Sequence, residues 1–113
     1  MLKKSYRLRS TSDIQKVLKS GRFRHIGDLV MIKWLENKLP NDRITMVVSL
    51  KVNKKAVVRN RIRRVCMEAI TKEWLERKAD KHYDIVIVAK KITEVGLEEA
   101  KEKIIKTLNN LTK

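Results

Sequence analysis

The chain is short of acid. Thirteen Asp and Glu stand against 28 Lys and Arg, and none of the thirteen falls between Lys51 and Arg64. There is one cysteine, Cys66, so no internal disulfide can form and a disulfide-built secreted scaffold is excluded. One proline and three glycines leave no flexible linker to divide the chain. No apolar run approaches the ~20 residues that span a bilayer. The opening MLKKSYRLRS lacks the apolar stretch of a secretory signal, and with the lone cysteine it leads us to expect a cytoplasmic protein. Catalytic signatures are missing too. The sequence has no phosphate-binding glycine loop, no dinucleotide glycine pattern, no zinc-ligand spacing and no nucleophile elbow.

What is present fits a single RNA-binding domain spanning 1–113. The length suits one core, and 42% hydrophobic content is enough to fold it. The net charge of +15 points first to nucleic acid and only weakly to an anionic membrane surface. Residues 1–9 read as a basic flexible arm.

The pattern along the chain predicts α-β-β-β-α-β-α. A first helix starts after a cap at Ser10, Thr11 or Ser12 and ends before Gly21, with Ile14, Val17 and Leu18 on one face. Arg22–Ile26 reads as an edge strand, Gly27-Asp28 as a turn, and Leu29–Leu35 as a second strand. After a loop around Pro40-Asn41, a third strand covers Arg43–Leu50, with Ile44, Met46, Val48 and Leu50 on one side. A second helix runs from Val57 to Ala79, burying Val58, Ile62, Val65, Cys66 and Ala69. Ile85–Ala89 is a continuous apolar run, as in a strand buried on both faces. A third helix covers Gly96–Leu111. The expected fold is α+β, a two-layer sandwich of a four-stranded mixed sheet and three helices, with the first strands antiparallel and the last parallel to a neighbour.

Few side chains offer chemistry. His25 reads as a solvated edge residue, His82 as a turn residue, Cys66 as a small core residue, and Trp34 and Trp74 as packing. Glu68, Glu73 and Glu76 are spaced to pair with Lys72 and Arg77. The segment 51–64 is different. Lys51, Lys54, Lys55, Arg59, Arg61, Arg63 and Arg64 stand there with no acid at i±3 or i±4 within it. Such a concentration of like charge opposes the compact state, so it points to a bound polyanion. Guanidinium forks fit phosphate, Asn60 adds a donor and an acceptor, and Lys54 and Lys55 lie where the helix N-terminus also favours an anion.

At Arg59-Asn60-Arg61-Ile62-Arg63-Arg64 the chain resembles the bacterial ribonuclease P protein subunit. Lys54-Lys55-Ala56 is similar to that family as well, as are Tyr6-Arg7-Leu8-Arg9, Asp13–Leu18 with Gly21, and Ala89-Lys90-Lys91 after the last strand. The resemblance implies an accessory subunit of an RNA enzyme that removes the 5′ leader of precursor tRNA. The RNA subunit would hold magnesium and cut, and the protein would carry no catalytic residue, metal or cofactor of its own. It further implies a left-handed crossover between the third and fourth strands. The site residues it implies are Lys51, Lys54, Lys55, Arg59, Asn60, Arg61, Arg63 and Arg64 with Arg7 and Arg9 for the ribonuclease P RNA. Ile14, Leu18 and Ile32 would line a cleft for the leader. Those three stand where the family often has aromatic rings, Leu50 where a Lys is usual, and Met67 and Ile70 where an Arg and an aromatic are usual. The alternatives from the residues alone are a structural or ribosomal-type RNA-binding module with no role in tRNA cleavage, a stand-alone nuclease, and a DNA-binding regulator.

Overall fold

A computed structural model describes residues 6–75, 81–92 and 96–111. The order is α1 (Thr11–Ser20), β1 (Arg22–Ile26), β2 (Val30–Asn37), β3 (Arg43–Val48), α2 (Ala56–Ile70), β4 (His82–Ala89) and α3 (Leu97–Leu111). β1 has its expected bounds to the residue, and α1 ends before Gly21 as expected and starts after Ser10, the first of the three expected caps. Gly21 makes that junction possible: a Cβ there would come within 2.5 Å of the Val17 carbonyl oxygen and 2.9 Å of that of Trp34. Gly27 takes φ +50 in the turn to β2, a conformation costly for any residue with a Cβ.

The four strands form one sheet in the order β1-β2-β4-β3. β1 and β2 are an antiparallel hairpin, as expected. β2 and β3 are not partners, despite their short connection. β4 lies between them, antiparallel to β2 and parallel to β3. Its apolar run explains the position, since Ile85, Val86 and Ile87 are buried and only a central strand covers both of its faces.

Alternation sorts the side chains onto two faces. Val30, Ile32, Ile44, Met46, Ile85 and Ile87 join Ile62, Cys66, Ile70, Ile104 and Leu108 from α2 and α3 in the main core. On the opposite face Val86 packs with Val17 and Leu8 under α1. The four-stranded mixed sheet and three helices are those expected; α2 and α3 make the helical layer, and α1 crosses the other face. Leu50 lies beyond β3 and is exposed, not part of the inner row.

α2 is shorter than its apolar pattern predicts. It gives way to a π-helical turn at Thr71–Leu75, and residues 76–80 lie outside the described ones. Buried Ile62, Cys66, Ile70 and Trp74 recur every four residues, running ahead of a 3.6-residue turn, and the wider turn absorbs the drift. Thr71 Oγ1 donates to the Met67 carbonyl there, at 2.7 Å. Among the described residues, Glu68 and Lys72 do not pair with each other; Glu76 and Arg77 lie outside them.

Two buried acids hold the strands together. Asp84 on β4 accepts from Arg43 Nε at 2.8 Å and Nη2 at 2.6 Å, and from Asn37 Nδ2 at 2.9 Å. Arg43 also reaches Asp13 of α1 at 3.4 Å, so one guanidinium links β3, β4 and α1. Asp42, fully buried, accepts from the Tyr83 backbone N–H at 2.7 Å and lies 3.4 Å from His82 Nδ1. His82 is therefore the first residue of β4 beside a buried carboxylate, not a turn residue.

Residues 6–9 are docked on the sheet rather than loose. Arg7 bridges to Ile44 on the outer edge of β3, and the Leu8 N–H donates to the Ile44 carbonyl at 3.1 Å. Leu8 is 2% exposed, and its burial is the anchor. Residues 1–5 of the expected arm lie outside the described ones.

Candidate nucleic-acid interface

The basic segment begins in the turn after β3. Asn53 Oδ1 accepts from the Lys55 N–H at 2.8 Å, closing a small loop ahead of α2. Arg59 Nη1 donates back to the carbonyls of Asn53 and Lys54, at 3.0 and 2.9 Å. Lys55 occupies the cap position and gives no side-chain cap, and no acid stands in the first turn. The N-terminal N–H groups of α2 thus meet solvent beside exposed Lys54 and Lys55, an arrangement suited to an anion.

One turn further on, Arg63 Nη1 donates to Asn60 Oδ1 at 2.9 Å. Lys51, Asn60, Arg61 and Arg64 are exposed, while Arg59 and Arg63 are half-buried. Among the described residues no carboxylate comes within ion-pair distance of Lys51, Lys54, Lys55, Arg59, Arg63 or Arg64. α3 shows the contrast. There Lys101 meets Glu98 at 2.8 Å and Lys103 meets Glu99 at 3.0 Å, the usual pairing of a solvated helix face. The hydrogen bond to Glu98 raises the Lys101 pKa.

The docked arm faces α2 across a groove of about 440 Å³. Arg7 and Arg9 form one wall, Asn60, Arg63 and Arg64 the other, and the floor is largely apolar. The structure thus brings the arm arginines and part of the α2 set to one place. Lys51, Lys54 and Lys55 belong to the turn ahead of the helix.

The expected cleft residues separate. Ile14 and Leu18 project from α1 onto the lightly covered face, where they pack beside Val86 and Val88. Ile32 does not join them. It is fully buried in the main core, because it shares the parity of Val30 and so points to the α2–α3 side. Its neighbour Met31 faces α1 instead. Met31 pairs across the sheet with Val88 and His25, and Val88 pairs with Val47, so Val47, Val88, Met31 and His25 make a row across the sheet. Val47 is 40% exposed, which leaves that end of the row open. The alternation of β2 is the signal that puts Met31, and not Ile32, on the α1 side.

At the β1 end the row meets a small aromatic and basic cluster. Phe23, 60% exposed, lies edge-on to His25 with ring centroids 5.6 Å apart. Lys90 Nζ is 2.9 Å from His25 Nδ1. Lys33 donates to the Leu18 carbonyl at the end of α1, at 2.7 Å, and holds its ammonium 5.9 Å from the Phe23 ring.

The other flagged residues are structural. Cys66 is fully buried, and burial pushes its thiol up to about 11, so it remains protonated at neutral pH. Trp74 is buried and Trp34 half-buried in the main core. Among the described residues no group of three or more His, Cys, Asp or Glu is placed to hold a metal ion. None of the helices so described is long and apolar enough to cross a membrane.

A family profile described as Ribonuclease P matches residues 2–112. The ribonuclease P protein component of Bacillus cereus strain G9842 is 35% identical over 105 residues, covering 92% of this chain and 89% of that one. The component from Bacillus anthracis strain CDC 684 is 34% identical, covering 92% and 86%. Among solved structures, the fold is similar to the RNase P protein of Staphylococcus aureus, with TM-score 0.75 and 24% identity over 93% of this chain and 96% of that one. The Thermotoga maritima RNase P protein gives 0.68 and 24% identity over 94% of each. The chain belongs to the ribonuclease P protein family, whose members are the protein component of the ribonucleoprotein that matures the 5′ ends of tRNA.

Proposed function

We propose that this chain docks on ribonuclease P RNA through α2 and the arm, and that it grips the single-stranded 5′ leader of precursor tRNA on the α1 face of the sheet. The observation that carries the docking is that Arg59, Arg63 and Arg64 of α2 have no carboxylate within ion-pair distance among the described residues, in a chain of net charge +15. Each would neutralise a phosphate and release counterions, so catalytic RNA and substrate, both polyanions, could approach.

The leader runs along the row Val47, Val88 and Met31, beside Ile14 and Leu18, toward Phe23, His25 and Lys90. Apolar side chains floor the path and cations flank it. Tracking of the backbone tolerates any sequence, as a processor of many precursors needs. The exposed Phe23 offers one stacking surface where Ile14 and Leu18 offer none. Bond breaking and magnesium are assigned to the RNA subunit, and the complex to the cytoplasm.

The test is cleavage by protein reconstituted with ribonuclease P RNA, on precursors with no leader and with leaders of increasing length. The protein should tighten substrate binding more as the leader grows, and should lower the magnesium needed for cleavage. Equal help at every leader length removes the leader path. Binding to other RNAs with no effect on cleavage replaces the whole reading with a structural RNA-binding module.

A further inference from the structure

The groove between the arm and α2 holds more than phosphate binding requires. A backbone laid along α2 needs only an exposed row of cations. Here the cations rim a recess of about 440 Å³ whose floor is made by Leu8, Ile44, Met46 and Met67. That volume is in the ~300–1,000 Å³ range of small-ligand sites. Met67 is half-buried and stands on the α2 side, one turn beyond Arg63 and Arg64.

The groove also has a polar edge of its own. The Ile44 carbonyl accepts from the Leu8 N–H, so Ile44 turns its backbone groups away from β4 and toward the arm. Strand alternation gives Met46 the same direction, which brings its N–H and carbonyl to the groove. Asn60 Nδ2 adds a donor on the opposite wall, since its Oδ1 already accepts from Arg63. An apolar floor, a donor and acceptor pair on one edge, and guanidinium groups on both rims match one flat heterocycle with a phosphate attached. Unstacked bases in RNA loops and bulges are recognised by such groups, with arginine planes as stacking partners.

We propose that this groove receives a single unstacked nucleotide of the RNA subunit, with its base over Met67 and Met46 and its phosphate between the arm arginines and Arg64. This deepens the docking proposed above and rests on it. The RNA subunit is favoured over the leader because the groove opens on the outer edge of β3 between the arm and α2, whereas the row leads from Val47 across the sheet to β1.

The experiment is Met67→Trp, which fills the recess and removes no charge. Binding to ribonuclease P RNA is measured across a tenfold range of salt, with base-specific chemical probing of the bound RNA. The expected result is an affinity loss of roughly tenfold, about 1.4 kcal/mol, with an unchanged salt slope. Protection of one unpaired nucleotide should vanish, and affinity for an isolated leader oligonucleotide should not change. Wild-type affinity and an intact protection pattern overturn the proposal. A loss confined to the leader oligonucleotide overturns it in favour of a leader nucleotide.

Should thermal melting show the variant unfolded, 15N-labelled wild-type protein is titrated with the four nucleoside 5′-monophosphates. Saturable shifts at the Leu8, Met46 and Met67 amides support the groove, and their absence at millimolar nucleotide overturns it. Wild-type protein that fails to bind ribonuclease P RNA refutes the docking itself. Wild-type binding with an indifferent Met67→Trp refutes the groove alone.

Discussion

Two arginines five residues apart on α2 should separate binding from stability. Arg64 is exposed and meets no carboxylate among the described residues. Its removal should leave folding within ~0.5 kcal/mol of wild type, as for most surface changes. If it holds one phosphate, Arg64→Ala lowers the slope of log affinity against log salt by ~0.7–0.9. The wild-type advantage then shrinks about five- to eight-fold for each tenfold rise in salt. Arg59 is different. Its Nη1 bridges the carbonyls of Asn53 and Lys54 and fastens the turn that starts α2. Hydrogen bonds to a charged donor contribute ~1.5–3 kcal/mol, and partial exposure reduces that here, so Arg59→Ala should cost about 1–2 kcal/mol of stability. Lysine should restore little, because its point charge cannot reproduce the planar fork. Urea melts and fluorescence anisotropy over a salt series read both quantities. A destabilised Arg64→Ala, an unchanged salt slope, or an Arg59→Ala that melts like wild type refutes the reasoning.

Other outcomes follow from the same geometry. Asp84→Asn leaves Arg43 without its bidentate partner and should cost about 3 kcal/mol, the low end for a broken buried pair because the Arg43 side chain is 23% exposed; a urea melt within 1 kcal/mol of wild type, roughly, would contradict that. Cys66 has its pKa pushed from 9.0 to about 11 in the fold, so the folded chain keeps a proton that the unfolded chain releases. Stability should therefore fall as pH rises between about 9 and 11, by up to roughly 2–3 kcal/mol, with no further fall from this group above that window. The wild-type margin over Cys66→Ala should narrow through that window, and parallel stability curves would contradict it. Phe23→Ala should weaken leader binding by ~1–3 kcal/mol if a base stacks on the ring, and leave leaderless substrate untouched. Equal losses on both substrates would point to a structural role for Phe23.

Local signals carried much of the fold. Capping residues, glycine turns and apolar spacing were enough to place α1 and β1 and to give the number and type of elements. Strand order was harder, because the short link after β2 looks like a hairpin. The doubly buried run at Ile85–Ala89 held the clue, since such a run belongs inside a sheet and must part β2 from β3. Ile32 falls on the α2–α3 side by one residue of parity, and the alternation of β2 puts Met31 on the α1 side. The arm was read from its charge, while Leu8 decides its position. The bond between Arg43 and Asp84 spans 41 positions and has no local signature at all. The cationic α2 face was legible because its signal is an absence of acids within a short stretch. The groove was not, because it forms only when the arm meets β3.

The insertion of β4 between β2 and β3 sets the order of assembly. A chain emerging from the ribosome delivers the β1–β2 hairpin and β3 first, yet β3 lacks its strand neighbour, and β2 its second, until the residues from 82 onward arrive. The parallel pairing with β3 closes a long loop, an entropic toll that slows folding. That loop carries α2, so the cationic helix is held between paired strands only once β4 is in place. A nascent chain halted before residue 82 carries the whole cationic segment but has no finished scaffold to present it. Display of the cationic segment on a finished sheet is thereby deferred until β4 has been made.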